Sequence, residues 1–302
     1  MALVTALITT AFIGGLLMHS YIAITVIIRW LHKKPVTPID QVLVCLGIAR
    51  MLLQIFSLMD LFLSIYQHGY LEPGSMFHFA VDGSFIFFNY SSIWFSTLFC
   101  VTFLLKIATY RHRLFLRLKR IVSQRITSLI VLSLVVSFGY VLMYVYLLTT
   151  DSGVKNMTDV INNVTNVTKK LQSRVHHVVF FLLGNSIPIG IYCCSVTLLI
   201  ASLYFHIDNM RANSNSAPLR LKAYYMAITT LAFCLLCYIF TVISNVFVLC
   251  YIFMLEVFWI HIILNVFPII HSAFLICKTS YLRQYITLLY NGIVGFMLPG
   301  GA

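Results

Sequence analysis

Charge is scarce in this 302-residue chain: 9% of its residues are Asp, Glu, Lys or Arg, and only eight are acidic. Soluble domains carry about a quarter charged residues, so a water-soluble fold is excluded. Strict alternation of apolar and polar residues over about ten positions is missing, which excludes a closed β-barrel. Gly-rich phosphate loops, His-Glu-x-x-His patterns and intramembrane carboxylate pairs facing a Lys or His relay are lacking too, and the polar segments are too short for a catalytic domain. These absences point away from an enzyme, and no cofactor or metal is expected. The eight cysteines (45, 100, 193, 194, 234, 237, 250 and 277) all fall within or at the ends of apolar runs. An outer-loop disulfide is therefore not expected, and Cys234 and Cys237, three apart on an apolar helix, read as small packing residues.

What the chain has is greasy length: 61% of it is hydrophobic. A bilayer core of about 30 Å takes roughly 20 apolar residues of helix. Seven segments qualify, at about 3–28, 42–66, 79–105, 126–149, 177–205, 223–248 and 254–277. The first lacks a basic start and meets no charge before Arg29, so it reads as a span and not as a cleaved leader. The expected fold is all-α, a single seven-helix transmembrane domain with its ends on opposite sides. Connectors 29–41, 106–125 and 206–222 and the tail after 277 hold 15 of the 20 Lys and Arg residues. Basic short loops stay cytoplasmic, so the N-terminus is expected outside and the C-terminus inside a multi-pass membrane protein.

Lys106, Arg111, Arg113, Arg117, Lys119, Arg120 and Arg125 crowd the second inner connector. Topology alone explains them, as does contact with a cytoplasmic partner; anionic membrane lipid adds about 1 kcal/mol per charge. The net charge of +12 requires no nucleic acid. The longest outer connector carries three glycosylation sequons, at Asn156, Asn163 and Asn166, which supports the same orientation.

Several stretches carry a resemblance. Asn89-Tyr-Ser-Ser-Ile-Trp94, Lys106-Ile-Ala108 and Leu114-Phe-Leu-Arg-Leu-Lys119 resemble the third helix and second inner loop of the type 2 (bitter) taste receptors, a G-protein-coupled family. Leu46-Gly-Ile-Ala-Arg50-Met resembles its second helix, and Ser202 to Met210 the inner end of its fifth. Pro268-Ile-Ile-His271-Ser272 followed by Leu282-Arg-Gln284 resembles its seventh helix and tail. His19, Phe103 and Phe85 depart from the residues usual in that family. The resemblance implies a receptor for small, mostly apolar, often bitter ligands that activates a heterotrimeric G protein with a gustducin-like α subunit. A vomeronasal-type chemosensory receptor is the alternative within receptors. A seven-span transporter or channel is the alternative outside them, and would call for charged or broken helices at the midplane, where only Arg50 stands.

Arg50 lies about eight residues, some 12 Å, inside its span and must find acceptors within the bundle, such as carbonyls or the Ser272 side of the seventh helix. The resemblance assigns Arg50 and Ser272 to a switch network; a purely structural tie is the other reading. Phe85 and Asn89, four apart on one helical face, are ligand-pocket residues by resemblance, with an interhelical Asn bond as the alternative. His261 and Tyr238 complete that set. His261 either orients a polar ligand or sits near the headgroups. Asp60 and Asp82, near outer helix ends, either greet a cationic ligand or are simply solvated. Lys106, Tyr110, Arg113, Leu203, His206 and Met210 are expected to face the G protein.

Overall fold

The computed structural model describes residues 2–32, 35–66, 76–108, 110, 112–158, 163–212, 218–251 and 257–297. Among them the regular elements are all helices: α1 (Ala2–Leu31), α2 (Pro38–Tyr66), α3 (Met76–Ile107), α4 (Arg113–Gln124), α5 (Ile126–Thr158), α6 (Asn163–Ala212), α7 (Pro218–Tyr251), α8 (Val257–Lys278) and α9 (Ser280–Met297). Seven of them, all but α4 and α9, are long and apolar enough to cross a membrane, as the sequence leads one to expect.

Three regions are more helical than their polarity suggests. The inner connector after α3 folds into α4, whose Phe115 and Val122 pack on the bundle while Arg113, Arg117 and Arg120 face out. The tail forms α9. Of the connector 150–176, α5 takes the residues to Thr158 and α6 those from Asn163. That stretch contains no proline and one glycine, Gly153, so little opposes continuing the helix once it leaves the span.

α3 is the central helix: 61% of its span is buried, against 17% for that of α5. One apolar cluster joins α3 to α6 and α7 through Leu104, Leu199, Leu203 and Val242. A second joins α2, α3 and α5, and a third ties α1, α2 and α8 to Leu282 of α9. Burying apolar side chains gains little over lipid, so close approach and polar ties must hold these faces together. Gly47 supplies one close approach: a Cβ there would stand 3.2 Å from the His19 carbonyl oxygen and 3.3 Å from the Ala23 nitrogen of α1.

A second joint turns on a proline. Pro188, inside α6, has no N–H for the carbonyl of Gly184 one turn earlier. The Tyr140 hydroxyl of α5 donates to that carbonyl at 3.0 Å. A Cβ on residue 184 would collide with the Tyr140 ring, which also stacks on Tyr90 of α3 at 4.4 Å between centroids.

The basic end of the bundle, where α1 finishes and α2 begins, is tied by a cap. Thr37 and Asp40 form a reciprocal capping box around Pro38: the Asp40 N–H donates to Thr37 Oγ1 at 3.3 Å, and the Thr37 N–H to Asp40 Oδ2 at 3.0 Å. Asp40 Oδ1 also accepts from Arg29 at 3.3 Å and from the Tyr281 hydroxyl at 3.2 Å, while the Arg29 guanidinium lies 4.1 Å over the Tyr281 ring. One carboxylate thus joins α1, α2 and α9. Burial, and then this carboxylate, raise the Tyr281 phenol above the usual tyrosine range.

Candidate functional site: a polar axis through the bundle

Polar side chains inside the apolar spans gather at three depths. The middle layer is built on Arg50, 6% exposed. Its guanidinium donates to Ser272 Oγ at 2.9 Å, His271 Nδ1 at 2.8 Å, Ser96 Oγ at 3.2 Å, Ser92 Oγ at 3.3 Å and the Pro268 carbonyl at 3.5 Å. A planar fork of five N–H donors meets acceptors on α3 and α8 at once, which a lysine could not do. No carboxylate is among these partners, so the cation is held by neutral dipoles. Beside it lies a gap of about 10 Å³, edged by Ser92, Ser96, Tyr238, Thr241 and His271, which is about one water wide.

Toward the far end, opposite the basic one, Asn89 Nδ2 donates to Asn245 Oδ1 at 2.7 Å and so links α3 to α7. Asn245 Nδ2 in turn donates to the Thr241 carbonyl at 2.7 Å. Phe85 is half-buried one turn farther out on α3, near the stacked pair Phe56 and Phe88 at 5.6 Å. His261, 2% exposed, bridges α8 to α2: Ser57 Oγ is 2.7 Å from Nδ1, and Asp60 Oδ2 is 3.3 Å from Nε2. An imidazole protonated on Nε2 donates to Asp60 and accepts from Ser57, whose oxygen accepts from Asn265 Nδ2 at 2.9 Å. His261 is therefore buried among side chains.

Tyr238 does not join Phe85 and Asn89. It stacks face to face on Tyr192 at 4.0 Å and meets Thr97 Oγ1 at 3.1 Å, two turns nearer the basic end than Asn89. Its hydroxyl edges the gap beside Arg50, so it belongs to the middle layer.

At the basic end a cavity of about 410 Å³ opens among α1, α2, α3, α6, α7, α8 and α9. Its lining mixes apolar walls, among them Phe99, Phe103 and Leu231, with Arg29, Asp40, Lys106, Lys278 and Tyr281. Lys106 and Arg113 are exposed, His206 is half-buried, and the Tyr110 hydroxyl donates to the Leu198 carbonyl at 2.7 Å, tying the connector after α3 to α6. Leu203, expected to face a partner, is 1% exposed and turned into the α3–α6–α7 core. Met210, Asn156, Asn163 and Asn166 lie on helical backbone, and their side chains fall outside the described residues; Arg111 lies outside them altogether.

The sequence reading missed Asn245, Ser57, Asn265, Ser92 and Ser96. Each is a small polar residue within an otherwise apolar span, and that was the available signal, because an amide or hydroxyl in a span needs a partner.

Seven membrane-length helices, a buried polar tie across three of them and an opening at the basic end define a seven-helix membrane bundle. The model of the taste receptor protein family, TAS2R, matches residues 1–291. The chain belongs to that family, and its role is that of a G-protein-coupled bitter taste receptor of the plasma membrane. Among curated relatives it is similar to taste receptor type 2 member 39 of Mus musculus, 29% identical over 93% of this chain and 89% of that one. It is likewise similar to the member 39 receptors of Rattus norvegicus (28%, covering 93% and 89%) and Homo sapiens (26%, covering 93% and 84%). Family membership sets aside the transporter and vomeronasal readings.

Proposed function

We propose that this receptor binds small, largely apolar, bitter molecules at the far end of the bundle and activates a heterotrimeric G protein with a gustducin-like α subunit at the basic end. The far end, with the N-terminus, faces outward, as the distribution of Lys and Arg supports. Asn156, Asn163 and Asn166 are then glycan acceptors on the outer side.

The observation that carries this reading is the stack of polar layers along the bundle. The Asn89–Asn245 and Ser57–His261 links lie at the ligand end, the Arg50 network lies at mid-depth, and the cavity beside Lys106 lies at the basic end. Each link bridges different helices, so a ligand that alters one layer shifts the relative positions of α2, α3, α7 and α8. Phe85, Asn89 and His261 serve the ligand, Tyr238 couples its layer to Arg50 and Ser272, and Lys106, Tyr110, Arg113, His206 and Met210 meet the α subunit. Leu203 becomes reachable only when α6 moves off α3. The exposed cations of α3 and α4 favour an acidic partner surface and anionic lipid.

The test is calcium release in cells that express this chain with a gustducin-like α subunit and are challenged with a panel of bitter compounds, with surface labelling as control. A dose-dependent response that disappears without the α subunit is expected. Silence of a well-labelled receptor across a broad panel contradicts the ligand class.

A further inference from the structure

Three side chains from two helices converge at the far rim. Asp60 comes from α2, and His78 and Asp82 stand one turn apart on α3, where four-residue spacing puts them on one face. One ligating atom from each lies within 4.8 Å of the other two. His78 Nε2 is 3.6 Å from Asp82 Oδ2, close to the roughly 3.3 Å that separates two ligands of a tetrahedral ion with bonds near 2.0 Å.

Two carboxylates this near repel each other unless a positive charge or a shared proton joins them. Among the described residues their ionic partners are histidines. All three side chains are about a quarter exposed, so the cluster is open to solution on one side. A second observation comes from behind it. His261, 98% shielded, holds Asp60 Oδ2 at 3.3 Å and is itself fixed by Ser57, which is bonded to Asn265. Such a buried outer shell orients a carboxylate toward an ion in front of it.

We propose that Asp60, His78 and Asp82 form a binding site for a divalent transition-metal ion of the zinc class, with water in the fourth position. One imidazole and two carboxylates, with an open side, suit Zn²⁺. Ca²⁺ and Mg²⁺ prefer all-oxygen shells of six or more ligands and are not served by this set. On the orientation proposed above, the ion arrives from outside the cell. Bound there, it pins the ends of α2 and α3 together and draws on the carboxylate that holds His261. The receptor's outer half thereby gains a metal-dependent brace.

The spacing of these residues along the chain gives no such hint, because the connector between α2 and α3 separates Asp60 from His78.

The test uses the full-length receptor in lipid nanodiscs, stripped with a chelator and needing no agonist, so its outcome is independent of the signalling assay. Zn²⁺ is titrated by calorimetry, and Co²⁺ is added as a spectroscopic stand-in. One saturable Zn²⁺ site, tetrahedral Co²⁺ absorption and a higher Tm with Zn²⁺ are expected. His78→Ala and Asp82→Asn should each weaken Zn²⁺ by more than about tenfold. His78→Cys, which restores a zinc-binding atom, should retain binding, and this separates loss of a ligand from loss of fold. Unchanged affinity in both His78→Ala and Asp82→Asn, or loss confined to Cys194→Ser and Cys250→Ser, whose thiols are exposed, overturns the proposal.

Discussion

The Asn89 amide donates to the Asn245 carbonyl oxygen at 2.7 Å, and this one bond joins the central helix α3 to α7 at the proposed ligand end. Interhelical bonds of this kind contribute about 0.6 kcal/mol on average and up to about 1.7. Asn89→Ala and Asn245→Ala should each weaken the agonist response while leaving surface labelling near normal. In the double variant the two effects should fall short of their sum by about that energy. Dose-response curves for the four receptors decide it, and strict additivity would show that the bond is not part of the response.

Arg50 joins α2 to α3 and α8 through five acceptors. Arg50→Lys keeps the charge but loses the fork, and it should cost about 2 kcal/mol on the scale of bonds between membrane helices. Thermal unfolding in detergent should show a lower Tm, and basal coupling should change as well. An unaltered Tm together with unaltered basal activity would remove Arg50 from both the structural tie and the switch.

Tyr140→Phe keeps the ring stacked on Tyr90 and removes only the hydroxyl that serves the Gly184 carbonyl. That carbonyl then lacks both its ordinary helical donor and its substitute. A loss of about 1 kcal/mol is expected, and Pro188→Ala, which restores the missing N–H, should recover part of it in the double variant. Failure of the recovery would mean that the hydroxyl acts elsewhere.

Gly47→Ala places a methyl group 3.2 Å from a backbone oxygen, which cannot rotate away as a side chain could. Separation of α1 from α2 should lower stability by about 1 kcal/mol or more, read as a fall in Tm.

The tie at the basic end predicts an alkaline dependence. The folded-state phenol of Tyr281 titrates above its unfolded value of about 10, because ionisation is opposed by burial and by Asp40. Its contribution is therefore complete below that unfolded value and is lost as pH rises through the folded one. Stability of the parent should fall more steeply above about pH 10 than that of Tyr281→Phe. Parallel slopes of Tm against pH would contradict this.

The seven spans were legible because a hydrocarbon slab demands about 20 apolar residues whatever the fold. Arg50 was legible for the same reason, being the one Lys or Arg within them. α4, α9 and the extensions of α5 and α6 were not, since short amphipathic and polar helices take their stability from packing and from the preceding turn, which composition does not display. Leu203 sits in a motif at the inner end of α6, yet its angular position turns it toward α3. Tyr238 lies about two turns nearer the basic end than Asn89, a depth that the run 223–248 does not fix by itself. The partners of Asn89 and His261 lie on helices more than 150 residues away along the chain, so only the folded bundle discloses them.

The most direct test of the account is nucleotide exchange on a purified heterotrimer with a gustducin-like α subunit, driven by this receptor in nanodiscs. A bitter agonist should accelerate GTP uptake in the parent and less so in Arg50→Lys, with Lys106→Ala weakening coupling but leaving agonist binding intact. No acceleration by an agonist shown to bind the folded receptor would contradict the claim that the polar axis carries a ligand signal to the basic end.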